Sequence, residues 1–183
     1  IFTRETQSLQ DWIVHLDESI LDKTTEALLN ADQILVTGAR SSYHAANWLG
    51  NRLNLLLGNT HIIQEFYDPR FDLLNNITTK TVVLSIAFAR YTKWTYHYAE
   101  SAKKMGATLI SITDSVSSPF FNISDCTILA APIKDSMGFS SPICMYCLFD
   151  VITAKIHEER KDMVAERLKT YEDTYRDFDM YYE

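Results

Sequence analysis

No stretch of this 183-residue sequence is apolar for long enough to cross a bilayer: its apolar runs are strand-length, far short of the ~20 residues a span needs. A basic excess is also missing. Seventeen Lys and Arg stand against 24 Asp and Glu, a formal net charge of −7, whereas affinity for nucleic acid comes mainly from neutralising phosphates. The chain as a whole is therefore not expected to lie along DNA or RNA, and any DNA-binding role needs another, basic segment. No secretory leader opens the sequence; it starts at Ile1, with Thr3, Arg4 and Glu5 close behind. Starting without Met points to a processed chain or a fragment of a longer one. Cysteine is scarce and odd in number (Cys126, Cys144, Cys147) in a chain too large to need disulfide staples, so a reducing cytoplasm is the expected location. Without a secretion signal, the sequons at Asn76 and Asn122 read as coincidence. Internal repeats and low-complexity segments are absent.

What is present is the composition of a globular domain, 46% apolar and 12% aromatic. Residues 1–30 are predicted helical, because Leu9, Trp12, Ile13, Leu16, Ile20 and Leu28 recur mostly at three- and four-residue spacings. The period then changes. Ile34-Leu35-Val36, ended by Thr37-Gly38, reads as a buried parallel strand. Ser41 or Ser42 is placed to cap a helix through Ala45, Ala46, Leu49, Leu53 and Leu56, which Gly58 stops. Further strands are expected at His61–Ile63, Thr81–Leu84, Thr108–Ile112 and Cys126–Leu129, with helices from about Thr92 to Met105 and from about Ser140 to Ile156. This cadence predicts an α/β fold: a three-layer α/β/α sandwich around a five-stranded parallel sheet, with helical extensions at both termini. The expected organisation is a helical segment 1–30, a central domain 31–156 and a C-terminal helix 157–183. That last segment holds 5 basic and 9 acidic side chains, so it supplies −4 of the net charge. Val164, Leu168, Tyr171, Tyr175, Phe178 and Tyr182 form one stripe along it, suited equally to packing on its own domain or to a subunit contact.

Ligands of open parallel sheets bind beyond the carboxyl ends of the strands, where strand order reverses. Two loops fit. Thr37-Gly38-Ala39-Arg40-Ser41-Ser42 follows the first strand, and Ser85-Ile86-Ala87-Phe88-Ala89-Arg90-Tyr91-Thr92 follows the third. In the flavodoxin-like order 2-1-3-4-5 these strands are neighbours and their loops face one crevice. Each loop offers an arginine and leads into a helix N-terminus, a combination that favours a small anion, above all a phosphate ester.

The two loops, together with Ile112-Thr113-Asp114 and Ser117-Ser118-Pro119, resemble a SIS (sugar isomerase) domain, and more closely the effector-binding domain of RpiR/MurR-type bacterial transcription regulators. Gly38 and Ser42 match the family's Gly-x-Gly-x-Ser, with Arg40 in place of the second glycine. In the family's Ser-x-Ser-Gly-x-Thr, Thr92 matches, while Ala87, Ala89 and Arg90 stand where Ser, Ser and Gly are usual. Gly106-Ala107-Thr108, Ser124-Asp125, Ser140-Ser141 and Asp150 are also familial. The likeness covers about Ala31 to Lys155. It implies a domain that binds phosphosugars as a homodimer or higher oligomer and, in the regulators, controls a helix-turn-helix DNA-binding domain lying upstream, here outside the chain. It also implies ligand-binding residues Gly38, Ala39, Arg40, Ser41, Ser42, Ala87, Phe88, Ala89, Arg90, Thr92 and Ser140, with no metal and no cofactor. Since Ala87 and Ala89 cannot supply the usual hydroxyls, either the anion site is altered and carried by Arg40, Ser42, Arg90 and Thr92, or sugar-phosphate binding has been lost; the first is the expectation here.

Catalysis is not expected. An aldose–ketose isomerase needs a carboxylate base and usually a histidine or second acid. Glu65, His44 and His97 fall near the crevice but in no matching motif. Cys144 and Cys147, inside an apolar helix with Leu148, Phe149 and Ile152, read as core thiols rather than a redox pair or half a zinc site. Tyr91, Trp94, Tyr96 and Tyr98 beside the second loop, and Tyr43, His44 and Trp48 beside the first, read mainly as packing, with Tyr91 and Trp94 also candidates for the crevice wall.

Overall fold

A computed structural model describes residues 2–65, 70–130, 133–134 and 140–181. Five parallel strands form the central sheet: β1 (Gln33–Thr37), β2 (Thr60–Ile63), β3 (Thr81–Ala87), β4 (Thr108–Thr113) and β5 (Cys126–Leu129). Their order is β2-β1-β3-β4-β5, the predicted order 2-1-3-4-5. Strand order therefore reverses between β1 and β3, which run in register from Gln33 opposite Thr81 to Thr37 opposite Ser85. A two-residue antiparallel pair, β6 (Ile133–Lys134) and β7 (Ser140–Ser141), stands apart from the sheet.

Successive strand side chains point to opposite faces, so each strand feeds two cores. Ile34, Val36, Leu84, Ile86, Ile110 and Ile112 face α2 (Glu18–Leu29), α3 (Ser41–Leu57) and α6 (Ile143–Glu159), where Leu28, Leu49, Leu53, Phe149 and Ile152 complete one core. On the other face, Leu35, Val83, Ala87 and Leu109 meet Phe120, the short α4 (Phe71–Leu74) and α5 (Lys93–Lys104) through Tyr98, Ala99 and Ala102. The three-layer α/β/α sandwich is thus built from the alternation of buried strand residues alone.

The helical segments differ from expectation in detail. The described part of the N-terminal segment forms two helices, α1 (Phe2–Val14) and α2, broken where the Asp17 carboxylate accepts the Ser19 N–H at 2.9 Å. Hydrogen bonding from Ser19, its side chain first and its backbone next, holds the Asp17 carboxyl below its ordinary pKa. α2 joins the helical layer at the β5 edge, while α1 lies outside it, anchored by the Trp12 indole donating to the Leu129 carbonyl at 2.9 Å. Ser140 does not open the last core helix: it belongs to β7, Pro142 is the N-cap of α6, and α6 runs past Ile156 to Glu159. Arg160 then separates it from α7 (Lys161–Asp177). Of the α7 stripe, Val164 is buried, Leu168, Tyr171 and Tyr175 are half-buried and Phe178 is exposed; Tyr182 lies outside the described residues. Among the described residues, no helix is long and apolar enough to cross a membrane.

Candidate functional site

The loops after β1 and β3 meet at the reversal point because Gly38 lets them touch. A Cβ on Gly38 would lie 2.7 Å from the Ser42 carbonyl oxygen and 3.1 Å from that of Ile86, both backbone atoms with little room to yield. Beyond Gly38 the chain turns sharply into α3, and Arg40 takes φ 56°, ψ −123°, a conformation disfavoured for any residue with a side chain. In the second loop Arg90 has φ 66°, also in the left-handed region. Both arginines therefore occupy glycine-like backbone, and each such position costs on the order of 1–3 kcal/mol unless the surroundings enforce it.

Asp114, at the end of β4, supplies that enforcement for the second loop. Its Oδ2 accepts the Ala89 N–H at 3.1 Å and its Oδ1 the Tyr91 hydroxyl at 2.7 Å, gripping the chain on both sides of Arg90. Burial and the neighbouring Asp114 carboxylate push the Tyr91 hydroxyl above its ordinary pKa. Next to it, the Thr113 hydroxyl donates to the Ala87 carbonyl at 2.7 Å. Sequence reading had placed Asp114 in a familial motif without a role; an acid directly after a strand, opposite a Tyr in the neighbouring loop, was the available signal.

Between the loops lies a cleft of about 60 Å³. Nine of the predicted residues line it: Ala39, Arg40, Ser41, Ser42, Ala87, Phe88, Ala89, Arg90 and Thr92. Ile86, Tyr91 and Thr95 line it as well. Gly38 lies beneath, setting the separation of the loops. Ser140 pairs with Lys134 through β7, and its side chain is outside the described residues. The predicted serine cap of α3 does not form, since Arg40 is the N-cap and makes no side-chain capping bond. Instead, Ser42 is only 9% exposed, faces the cleft, and has no side-chain hydrogen bond to any described residue. α5 is likewise uncapped: the hydroxyls of its N-cap Thr92 and of Thr95 bond each other at 2.7 Å. Two helix N-termini thus open on the cleft with their partial positive charge, although in α3 the Ser42 and Tyr43 N–H groups already donate to the Ala39 and Arg40 carbonyls at 3.1 and 3.2 Å. Among the described residues neither Arg40 nor Arg90 forms an ion pair, and no acidic side chain lines the cleft.

Other candidates sit elsewhere. His44 and His97 are exposed, Glu65 is half-buried, and none of the three lines the cleft. Trp94 stacks on Tyr98 and Tyr96 meets Phe120 edge-on, both inside the second core, while Trp48 stacks on Phe149 between α3 and α6; of the aromatics flanking the two loops, Tyr91 reaches the cleft, beside Phe88 of the second loop. Cys144 is buried and Cys147 half-buried, and burial raises both thiols, keeping them protonated and unreactive. Among the described residues there is no cluster of three His, Cys, Asp or Glu able to hold a metal.

The SIS domain family profile matches residues 27–154, well over half of the chain, so the chain belongs to the SIS domain family. A structure titled as the sugar isomerase domain of an RpiR transcription factor from Sphaerobacter thermophilus superposes with a TM-score of 0.87 at 22% identity, over 94% of this chain and 96% of that one. The Vibrio vulnificus NanR protein, complexed with ManNAc-6P, gives a TM-score of 0.81 at 20% identity over 94% of this chain and 66% of its own. At these identities the likeness is one of fold. In sequence, 115 residues are 28% identical to glutamine–fructose-6-phosphate aminotransferase [isomerizing] of Thermococcus kodakarensis, covering 63% of this chain and 19% of that enzyme. The chain therefore spans about a fifth of that relative's length.

Proposed function

We propose that this chain is the ligand-sensing SIS domain of an RpiR-type transcription regulator, cytoplasmic and non-catalytic. In this reading it binds a phosphorylated sugar or similar small anion in the β1/β3 cleft and controls a helix-turn-helix domain outside the chain. The central unit is residues 31–156, flanked by helical segments, and it works as a homodimer or higher oligomer. The observation that carries the reading is the cleft itself: two uncapped helix N-termini, the unpartnered Ser42 and two unpaired arginines converge with no acid among them. The regulator-like fold and the ManNAc-6P complex of NanR agree with it. The site departs from the usual pattern in that arginine charge replaces the hydroxyls that Ala87 and Ala89 lack. A sugar-phosphate isomerase would need an acid–base pair at the sugar, and Glu65, His44 and His97 do not line the cleft. Isothermal titration with a panel of phosphosugars tests the proposal: binding of at least one, weakened at least tenfold by Ser42→Ala combined with Arg90→Gln, is the expected result. Absence of heat with every member of the panel would refute it. Interconversion of aldose and ketose phosphates by the purified chain would favour the enzyme instead.

A further inference from the structure

The geometry points to a ligand with two separate anionic groups, one seated in the cleft and one held at its rim, as in a sugar bisphosphate. This inference rests on the anion-binding reading above and specifies the class of ligand. The first ground is size. The cleft is small, about 60 Å³, and open on one side, so its inner part suits a compact group such as a tetrahedral oxyanion. A sugar attached to such a group reaches the exposed side chains of the rim. The second ground is charge. Arg40 and Arg90 are the charged residues of the lining and sit on different loops. Both are exposed, and neither has an acidic partner among the described residues. With the two helix N-termini, each worth about half a charge, the site offers about +3, whereas one phosphate monoester carries about −1.5 to −2. A single phosphate leaves positive charge unmatched, and a second anionic group matches it. The third ground is conformation. Arg40 and Arg90 are both held in glycine-like backbone, and the Asp114 grip on Ala89 and Tyr91 fixes the second at the rim without pairing to it. The hydroxyl of Ser42, a residue nine-tenths buried, has no hydrogen-bond partner among the described residues and marks the inner position for the first group.

The test is calorimetric titration of the whole chain with inorganic phosphate, fructose 6-phosphate and fructose 1,6-bisphosphate at one ionic strength. The bisphosphate should bind at least tenfold more tightly than the monophosphate. Arg40→Gln or Arg90→Gln should shrink that ratio to about twofold or less, while Arg52→Gln, on the far side of α3 against Asp150, should leave it unchanged. Monophosphate and bisphosphate binding within twofold of each other in the unmodified chain overturns this inference and leaves anion sensing standing. A bisphosphate advantage that falls equally with Arg52→Gln also overturns it, because it would then reflect general charge. No heat with any of the three defeats this inference and counts against the anion-binding reading as well. Because the central comparison uses the unmodified chain, failure of a variant to fold does not blunt it.

Discussion

Arg40 carries the sharpest conflict between a residue and its backbone. Its φ of 56° and ψ of −123° suit glycine, yet the side chain is long, charged and aimed at a cleft with no acid to meet it. Relief of about 1–3 kcal/mol of strain by Arg40→Gly is offset by about 0.5–1 kcal/mol of extra unfolded-state entropy. Arg40→Gly is therefore expected to raise stability by about 1 kcal/mol, read as a higher urea midpoint with unchanged slope, while weakening anion binding. A fall in the midpoint would show that Arg40 makes stabilising contacts after all. The same scale explains what sequence reading could and could not reach. Nine cleft residues were legible because a loop after a strand is a contiguous stretch of chain. The failed serine cap was not, because whether Ser42 turns back on its helix or into the cleft depends on where the β3 loop lies, 40 or more residues on.

Among the elements, α7 is attached lightly. Val164 is its one buried residue, and Arg167 supplies the polar anchor, donating from Nε to the Leu55 carbonyl at 3.2 Å and from Nη2 to that of Asn54 at 3.1 Å. These are carbonyls at the C-terminal end of α3, where a cation is favoured, and the guanidinium fits only because Gly58, at φ 80°, has no Cβ; one would stand 2.4 Å from it. Arg167→Ala should cost about 1–2 kcal/mol and speed hydrogen exchange along α7 more than in the sheet. Equal exchange in both proteins would mean Val164 alone holds the helix. The spacing of the stripe announced a helix with one apolar face, but not that its grip ends near Tyr171, since only packing against α3 decides how far the stripe is covered. The break between α1 and α2 went unread, although Asp17 directly before Glu18-Ser19 is an N-cap signal.

For the molecule as a whole, one titration stands out near neutral pH. His61 on β2 faces the same side of the sheet as its register neighbour Leu35 and is partly withdrawn from water, near Arg70 and Asp72. Burial first, and then Arg70, lower its pKa below the ordinary 6.5 against an opposing pull from Asp72. The unfolded chain therefore takes up this proton first, so the stability contributed by neutral His61 is full above about pH 6.5 and is lost as pH falls through 6.5 toward the folded value. Urea midpoints should decline from pH 7 to pH 5.5, and His61→Gln should flatten that decline; an unchanged decline in the variant would assign it to other groups.

The sequence by itself determined the layers. Alternating buried strands and amphipathic helices specify an α/β/α sandwich, because burial at periods of two and of about 3.6 is a local property of the chain. It also placed the two loops that meet at the reversal of strand order. Only the tertiary structure decided what those loops present: arginines held in glycine-like backbone, one of them gripped by Asp114 from the neighbouring strand, and a serine turned from capping to the cleft. Those outcomes depend on contacts between residues far apart in sequence, and no local pattern encodes which side chain a loop will find opposite it once the sheet has closed.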